Sequence, residues 1–312
     1  PAGLTCHVRD PKVFAYEGRY YMVLGARTLE DRGEVLVFES TDKLHWTHIN
    51  TLTTPEPFGY MWECPDLFCI DGQWYLAVSP QGIRCQNVYG CGYFAVYGDW
   101  RGEYTLGQFH ELDAGFDYYA PQSFADDTGR RIQIGWMGMP DADYGNAPTA
   151  VHGWQHCMTV PRELTAGAGG VVLQQPAREI ERHYASVRVG EGSLEVAGDT
   201  CFDVVVDGVD GAFAATVDGE LKLVFVPAEG ELPARFEMRY TDEGRASAGC
   251  GRTVRWEPVD EVRNVRIVGD VSSVEVFVND GSLVFSTRIY PEAYGVTVDT
   301  PGANVTYHAL NI

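Results

Sequence analysis

Residues 9–26 read RDPKVFAYEGRYYMVLGA, and the pattern of this stretch returns twice. Its frame is a proline, two residues, a phenylalanine, a glycine-bearing turn and then an aromatic-rich run. Pro11 and Phe14 lead through Glu17-Gly18 into 19–26, Pro65 and Phe68 through Asp71-Gly72 into 73–79, and Pro121 and Phe124 through Thr128-Gly129 into 131–137. The prolines stand 54 and 56 residues apart. The runs are rich in aromatic and β-branched residues and predict strands, and each unit continues with a further β-rich run such as 34–40 or 93–97. A repeat of about 50 residues built from antiparallel strands is the signature of propeller blades. Three such units are legible, whereas a closed propeller needs about four to eight. The competing reading is a β-sandwich whose hairpins resemble one another by chance.

Outward from the repeat, Leu173-Gln174-Gln175-Pro176 gives way to a short charged stretch that predicts a linker with one helical turn. Beyond it come short strands at sandwich-like spacing, among them 204–206, 221–226 and 235–240. The clearest pair is 273–278 and 283–288, joined through Asn279-Asp280-Gly281. Asn and Asp tolerate the left-handed backbone and Gly favours it, so this triplet predicts a hairpin turn. Nothing in this half gathers carboxylates, histidines or cysteines into a reactive set, and it is read as structural, with at most a weak glycan contact. The chain is thus expected to be all-β: part of a propeller over 1–175, a linker over 176–184, and a β-sandwich over 185–312.

The composition fits a soluble globular protein: 312 residues, 45% hydrophobic and 21% charged. No apolar run approaches the roughly 20 residues that span a bilayer, and no signal-peptide pattern opens the chain. Residue 1 is Pro rather than Met, which leaves room for residues upstream. A net charge of −21 argues against nucleic acid or an anionic membrane as partner and leaves a neutral sugar free of objection. Eight cysteines, at 6, 64, 69, 85, 91, 157, 201 and 250, include no Cys-x-x-Cys pair. Cys64/Cys69 and Cys85/Cys91 have loosely zinc-like spacing, but the first two flank a strand. The preferred reading is buried free thiols in a reducing compartment, the cytoplasm.

Just before the three prolines stand Arg9-Asp10, Glu63-Cys64 and Tyr119-Ala120. The start of each blade's first strand lies near a propeller's axis, so Asp10, Glu63, Tyr118 and Tyr119 are predicted to converge at one mouth. Two carboxylates with aromatic faces suit glycoside hydrolysis, where an acid must protonate the leaving oxygen. Trp62, beside Glu63, is expected to supply apolar surface that favours the protonated carboxyl. Asp66 is a weaker candidate, an orienting group for Arg9 or the backbone. Each residue also has a plainer reading. Asp10 before Pro is a common turn residue, Arg9 a salt-bridge partner, Glu63 a half-buried ion pair, and Trp136 and Trp154 core. Asp10 and Glu63 are read as sharing one repeat phase, and that shared position favours a site.

At these residues the chain resembles a known family. Arg9-Asp10-Pro11-Lys12-Val13-Phe14 looks like the Arg-Asp-Pro motif of glycoside hydrolase family 32, and Met61-Trp62-Glu63-Cys64-Pro65-Asp66-Leu67-Phe68 resembles its Glu-Cys motif. Residues 116–124, 134–138, 153–164 and 273–281 are similar to further family segments, in family order. The resemblance implies a five-bladed propeller followed by a β-sandwich, of which about three blades are present here. It implies Glu63 as general acid/base, Asp10 as transition-state stabiliser, Arg9 in support, and Trp62, Tyr118, Tyr119 and Trp154 as sugar contacts. It implies hydrolysis of terminal non-reducing β-D-fructofuranosides, sucrose or sucrose 6-phosphate, by a retaining two-carboxylate mechanism without metal or organic cofactor. Ser79-Pro80-Gln81-Gly82 and Gly153-Trp154-Gln155-His156 look most like bacterial intracellular members. The family's nucleophile belongs to an Asn-Asp-Pro-Asn-Gly-type segment with no equivalent among these residues, so N-terminal truncation is expected. The alternatives are a non-catalytic sugar-binding remnant, one half of a split assembly, or a related five-bladed family acting on arabinan or xylan.

Overall fold

A computed structural model describes residues 1–142, 147–241 and 251–312; Cys250 lies outside the described residues. Strands dominate. β1 (Leu4–Tyr16), β2 (Arg19–Thr28), β3 (Gly33–Ser40) and β4 (Thr47–Leu52) form an antiparallel sheet in that order. β5 (Met61–Ile70), β6 (Gln73–Gln81), β7 (Gly92–Gly98) and β8 (Tyr104–Glu111) form a second. The third contains β9 (Tyr119–Ala125), β10 (Arg131–Met137), β11 (Cys157–Met158), β12 (Arg162–Ala166) and β13 (Val172–Pro176); β10 pairs with β9, β11 and β12. These are the three predicted blades. Glu17-Gly18 and Asp71-Gly72 both take positive φ, the two-residue turn that matches the twist of the strands it joins.

The repeat prolines fall inside β1, β5 and β9 rather than ahead of them. β1 and β5 lie at the edges of their sheets and β9 pairs with β10, so a residue without an N–H need not break the ladder. The pairing slips just there: β1 shifts register against β2 between Arg9 and Lys12, and β5 against β6 between Glu63 and Asp66. The residue before each proline sits in the left-handed region, at φ 63° for Asp10 and 49° for both Cys64 and Ala120. None is a glycine, so each conformation costs about 1–2 kcal/mol. Bulges of this kind re-aim side chains; β1 and β5 share one, and β9 repeats its left-handed residue before the proline.

By compactness the chain divides into two units. The first comprises Pro1–Leu112, Tyr119–Gly135 and Leu164–Val172. Its apolar core includes Val23, Val37, Trp62, Leu76, Phe94 and Trp100, all buried. Each large side chain buried there contributes about 1.5–3 kcal/mol.

The second unit comprises Asp113–Tyr118, Trp136–Glu163 and Leu173–Ile312. Ten strands between Tyr184 and Leu310 form its sandwich-like sheet system, entered through a short 3-10 helix at Arg178–His183. The strands Leu221–Val226, Arg235–Tyr240, Ser273–Val278 and Leu283–Arg288 have the predicted bounds. Gly281 ends the predicted turn at φ 77°, and a Cβ there would lie 1.6 Å from the Gln174 carbonyl oxygen, so only glycine fits. Residues 113–118 run along the strand Leu283–Arg288 and carry two buried carboxylates. Asp113 meets Arg162 at 2.9 Å and the Ser286 hydroxyl at 2.6 Å; Asp117 meets Arg252 at 2.9 Å. Glu275 also reaches Arg162, at 2.7 Å, so the C-terminal part, read as structural, contributes a carboxylate to a buried charge network with Arg162 and Asp113. Burial opposes the Arg162 charge, but Glu275 and Asp113 outweigh it and hold the guanidinium well above its usual range.

Among the described residues, Cys6, Cys64, Cys69, Cys85, Cys91, Cys157 and Cys201 form no disulfide. The expectation of burial holds for Cys91 alone among them; Cys6 is exposed and the others are partly so. No helix among the described residues is long and apolar enough to cross a membrane.

Candidate active site

The three proline-bearing strands bring together residues that the sequence keeps far apart. Counting back from each proline, Arg9, Glu63 and Tyr119 occupy the same position, and in the first unit their side chains meet. Arg9 donates to Glu63 Oε1 from Nε at 3.0 Å and from Nη2 at 2.6 Å. Tyr119 donates its hydroxyl to Glu63 Oε2 at 2.5 Å. Both carboxylate oxygens are therefore held, one by a guanidinium and one by a phenol, and the carboxyl is fixed in a single orientation. Its side chain keeps 16% exposure, enough for a substrate atom to reach it.

Asp10 does not share the phase of Glu63; it is one residue later, equivalent to Cys64 and Ala120. The bulge corrects the expected register, because two residues of the bulged strand face one on its partner. Asp10 Oδ2 accepts from the Cys64 amide at 2.9 Å and from its thiol at 3.6 Å. Asp10 nevertheless lies beside the Glu63 cluster through this bond across the two inner strands.

Electrostatics assign protons to the neighbours of Glu63. Burial would lower the basicity of Arg9, but its hydrogen bond and charge pairing with Glu63, and the charge of Asp10, raise it above its ordinary value. Burial and then the bond to Glu63 push the Tyr119 phenol far above its usual range, so it stays protonated and is not itself the proton source. Burial, followed by the charges of Asp10 and Glu63, pushes the Cys64 thiol up to about 12. A thiol at that value is not a nucleophile at neutral pH.

Beyond the prolines a second layer follows. Lys12, one residue past Pro11, donates to Gln122 Oε1 at 3.1 Å and to the Ser123 carbonyl at 2.5 Å, and stands 3.4 Å from Asp66 Oδ1. Asp66 Oδ2 accepts the Ser123 amide and hydroxyl, each at 2.7 Å, so Asp66 ties strands together rather than orienting Arg9. Gln122 donates to the Cys64 carbonyl at 3.0 Å. Lys12 and Gln122 escaped the sequence reading, although both follow a repeat proline directly.

Three of the expected sugar contacts have other partners. Trp62 is wholly buried, donates its indole N–H to the Phe58 carbonyl at 2.6 Å and stacks on Phe94. It offers no surface to a ligand, and Glu63 meets a guanidinium and a phenol instead of an indole. Tyr118 is buried with its ring 4.7 Å from the Arg162 guanidinium in the second unit. Trp154, in the second unit, is half-exposed with Arg288 5.9 Å from its ring, and Trp136 packs edge-on against His156. Among the described residues, no three His, Cys, Asp or Glu side chains gather to hold a metal ion.

Comparison with known proteins gives a consistent picture. Residues 1–176 match the family model described as Glycosyl hydrolases family 32 N-terminal domain, and residues 233–312 the one described as Glycosyl hydrolases family 32 C terminal. The sucrose-6-phosphate hydrolase of Bacillus subtilis (strain 168) is 37% identical over 311 residues, covering 93% of this chain and 63% of that protein. That of Klebsiella pneumoniae is 38% identical over 302 residues, covering 93% and 62%. The chain thus spans a little under two thirds of the length of these curated relatives. Among solved structures, the sucrose-6-phosphate hydrolase of Lactobacillus gasseri superposes with a TM-score of 0.86 at 24% identity, over 100% of this chain and 67% of that one. A Bombyx mori GH32 beta-fructofuranosidase gives 0.81 at 26% identity, over 97% and 66%.

Proposed function

The chain belongs to glycosyl hydrolase family 32, and from that premise we propose that it serves the hydrolysis of terminal non-reducing β-D-fructofuranosides, with Glu63 as the carboxyl that moves the proton. The observation that carries this reading is the partly exposed Glu63, held at one oxygen by Arg9 and at the other by Tyr119. A retaining reaction asks one group to act twice. It first gives a proton to the glycosidic oxygen as a second carboxylate attacks the anomeric carbon, and then takes one from the water that releases the sugar. A carboxyl held on both sides can do this without reorienting. The attacking carboxylate of this reading is the one the family carries in its Asn-Asp-Pro-Asn-Gly-type segment. Asp10, beside the cluster, accepts hydrogen bonds from sugar hydroxyls that tighten as charge develops.

Sucrose 6-phosphate and sucrose are the proposed substrates. The curated relatives at 37% and 38% identity are sucrose-6-phosphate hydrolases, and a mutant of the Bombyx mori neighbour was solved in complex with sucrose. The free thiols favour a reducing compartment, the cytoplasm.

The test is hexose release from each sugar by this chain and by Glu63→Gln. Loss of a general acid/base is expected to slow hydrolysis about 10²–10⁴-fold. Partial rescue of Glu63→Ala by azide, which needs no base, identifies the lost step as proton transfer. A Glu63→Gln variant as active as the parent sinks the assignment. An inactive parent that hydrolyses once an Asn-Asp-Pro-Asn-Gly-type segment is supplied upstream keeps the assignment; one that stays inactive with it but binds sucrose 6-phosphate saturably supports the second reading, a non-catalytic sugar binder, and one that binds neither sugar overturns both.

A further inference from the structure

The grip on Glu63 does not end at Arg9. The Nε and Nη2 N–H groups of Arg9 are both directed at Glu63 Oε1. Its remaining nitrogen, Nη1, lies 2.9 Å from Nδ1 of His7, two positions back in β1. Side chains two apart in a strand share a face, so the backbone sets the two rings of donors and acceptors side by side. That backbone is itself tied. β1 pairs irregularly with β2 between Leu4 and Val8, and there Thr5 donates its hydroxyl to the Arg27 carbonyl at 3.0 Å and accepts the His7 amide at 3.1 Å.

A guanidinium has donors only, so His7 Nδ1 has to be the acceptor, and the neutral ring then carries its proton on Nε2. His7 is exposed, and Arg9 keeps 33% of its side-chain surface. A guanidinium held along one edge alone can pivot and exchange its bonds for water; held at Nη1 as well, its plane is fixed. Oε1 then accepts two N–H groups, which occupy the acceptor positions of that oxygen, whereas Oε2 accepts only the Tyr119 hydroxyl and keeps one position open. The exchangeable proton of Glu63 is thereby directed to Oε2. Resting on the assignment of Glu63 as the carboxyl that moves the proton, we propose that His7 is a positioning residue for that step. Through Nδ1 it locks Arg9 across Oε1 and keeps Oε2 as the oxygen that gives and takes the proton.

Asparagine and glutamine separate the two nitrogens of the imidazole: Asn places an amide oxygen where Nδ1 stands, and Gln reaches instead to the place of Nε2. Phe keeps a ring and removes both nitrogens. The first readout needs no turnover. It is NMR of the whole chain carrying isotope-labelled arginine, with the Arg9 signals identified by their loss in Arg9→Lys. Rotation of the Arg9 guanidinium about its Nε–Cζ bond is expected to be slow in the parent and in His7→Asn, and about tenfold faster in His7→Phe and His7→Gln. The second readout is hydrolysis of sucrose 6-phosphate by the whole chain and, where that is inactive, with the Asn-Asp-Pro-Asn-Gly-type segment supplied upstream. Here kcat is expected to fall about tenfold in His7→Phe and His7→Gln at unchanged KM, with His7→Asn within about twofold of the parent. Rotation as fast in the parent as in His7→Phe overturns the proposal whatever the activity, and so does a kcat that His7→Phe leaves unmoved. Rescue by Gln in place of Asn overturns it too, because Nε2 then touches the substrate. A slow Arg9 in a parent that hydrolyses in neither form, or whose Glu63→Gln variant stays fully active, fails the reading of Glu63 and removes the role of His7 with it, while the Arg9–His7 contact stands.

Discussion

The Tyr119 hydroxyl points at Glu63, and its ring packs 6.0 Å from that of Tyr89. Tyr119→Phe keeps the ring and removes the one bond. A hydrogen bond to a charged group contributes about 1.5–3 kcal/mol, so kcat for sucrose 6-phosphate is expected to fall roughly 10- to 100-fold with KM little changed. Steady-state kinetics decide: a raised KM at constant kcat instead makes the phenol a substrate contact. At this scale sequence reasoning went astray in an instructive way. Successive side chains of a regular strand point to opposite faces, and Trp62, the residue before Glu63 in β5, is turned into the core, whereas Cys64 at the bulge stays beside Asp10. Tyr118, just ahead of β9, is buried as well. Arg9 and Tyr119 were legible as candidates, but not as the pair that grips Glu63, because the phase comparison was drawn with Asp10.

The left-handed residue before each repeat proline is an element-scale device with a local cost, and Ala120 is its simplest test. At φ 49° a β-branched side chain is badly accommodated, so Ala120→Val is expected to lose about 1–3 kcal/mol in urea unfolding. Ala120→Gly, which relieves the left-handed strain but loosens the unfolded chain, is expected to stay close to the parent. Equal stability of the Val variant would show that the position carries no such strain. Strands with aromatic and β-branched runs were legible almost to the residue, as at Arg131–Met137 and Ser273–Val278. The proline-bearing strands β1, β5 and β9 were not, because proline reads as a strand start unless the strand is known to be an edge. The charge network around Arg162 was invisible for another reason: its partners Asp113 and Glu275 lie 49 and 113 residues away, and no local pattern links them.

Across the whole molecule the charge is strongly negative, −21, so any carboxylate pressed into the fold adds to self-repulsion. Asp218 is one such group. It accepts the Gly295 amide at 2.8 Å, and burial pushes its carboxyl up to about 6. Its folded value lies above the unfolded value of about 3.9, so the proton favours the folded state. That contribution is full below the unfolded value and is lost as pH rises through about 6. Asp218→Asn keeps the acceptor and removes the charge. Its melting temperature is expected to exceed that of the parent at pH 8 and to converge with it near pH 4; a constant difference across that range would disprove the linkage. The same long view applies to the cluster at the three proline-bearing strands. Its contacts join residues 54 and 56 positions apart, each from a different blade. Such closures come late, after the hairpins that bring them together. A chain leaving the ribosome therefore holds complete hairpins well before it holds a positioned proton donor, and its chemistry is switched on by the completion of folding rather than by the growth of any one part.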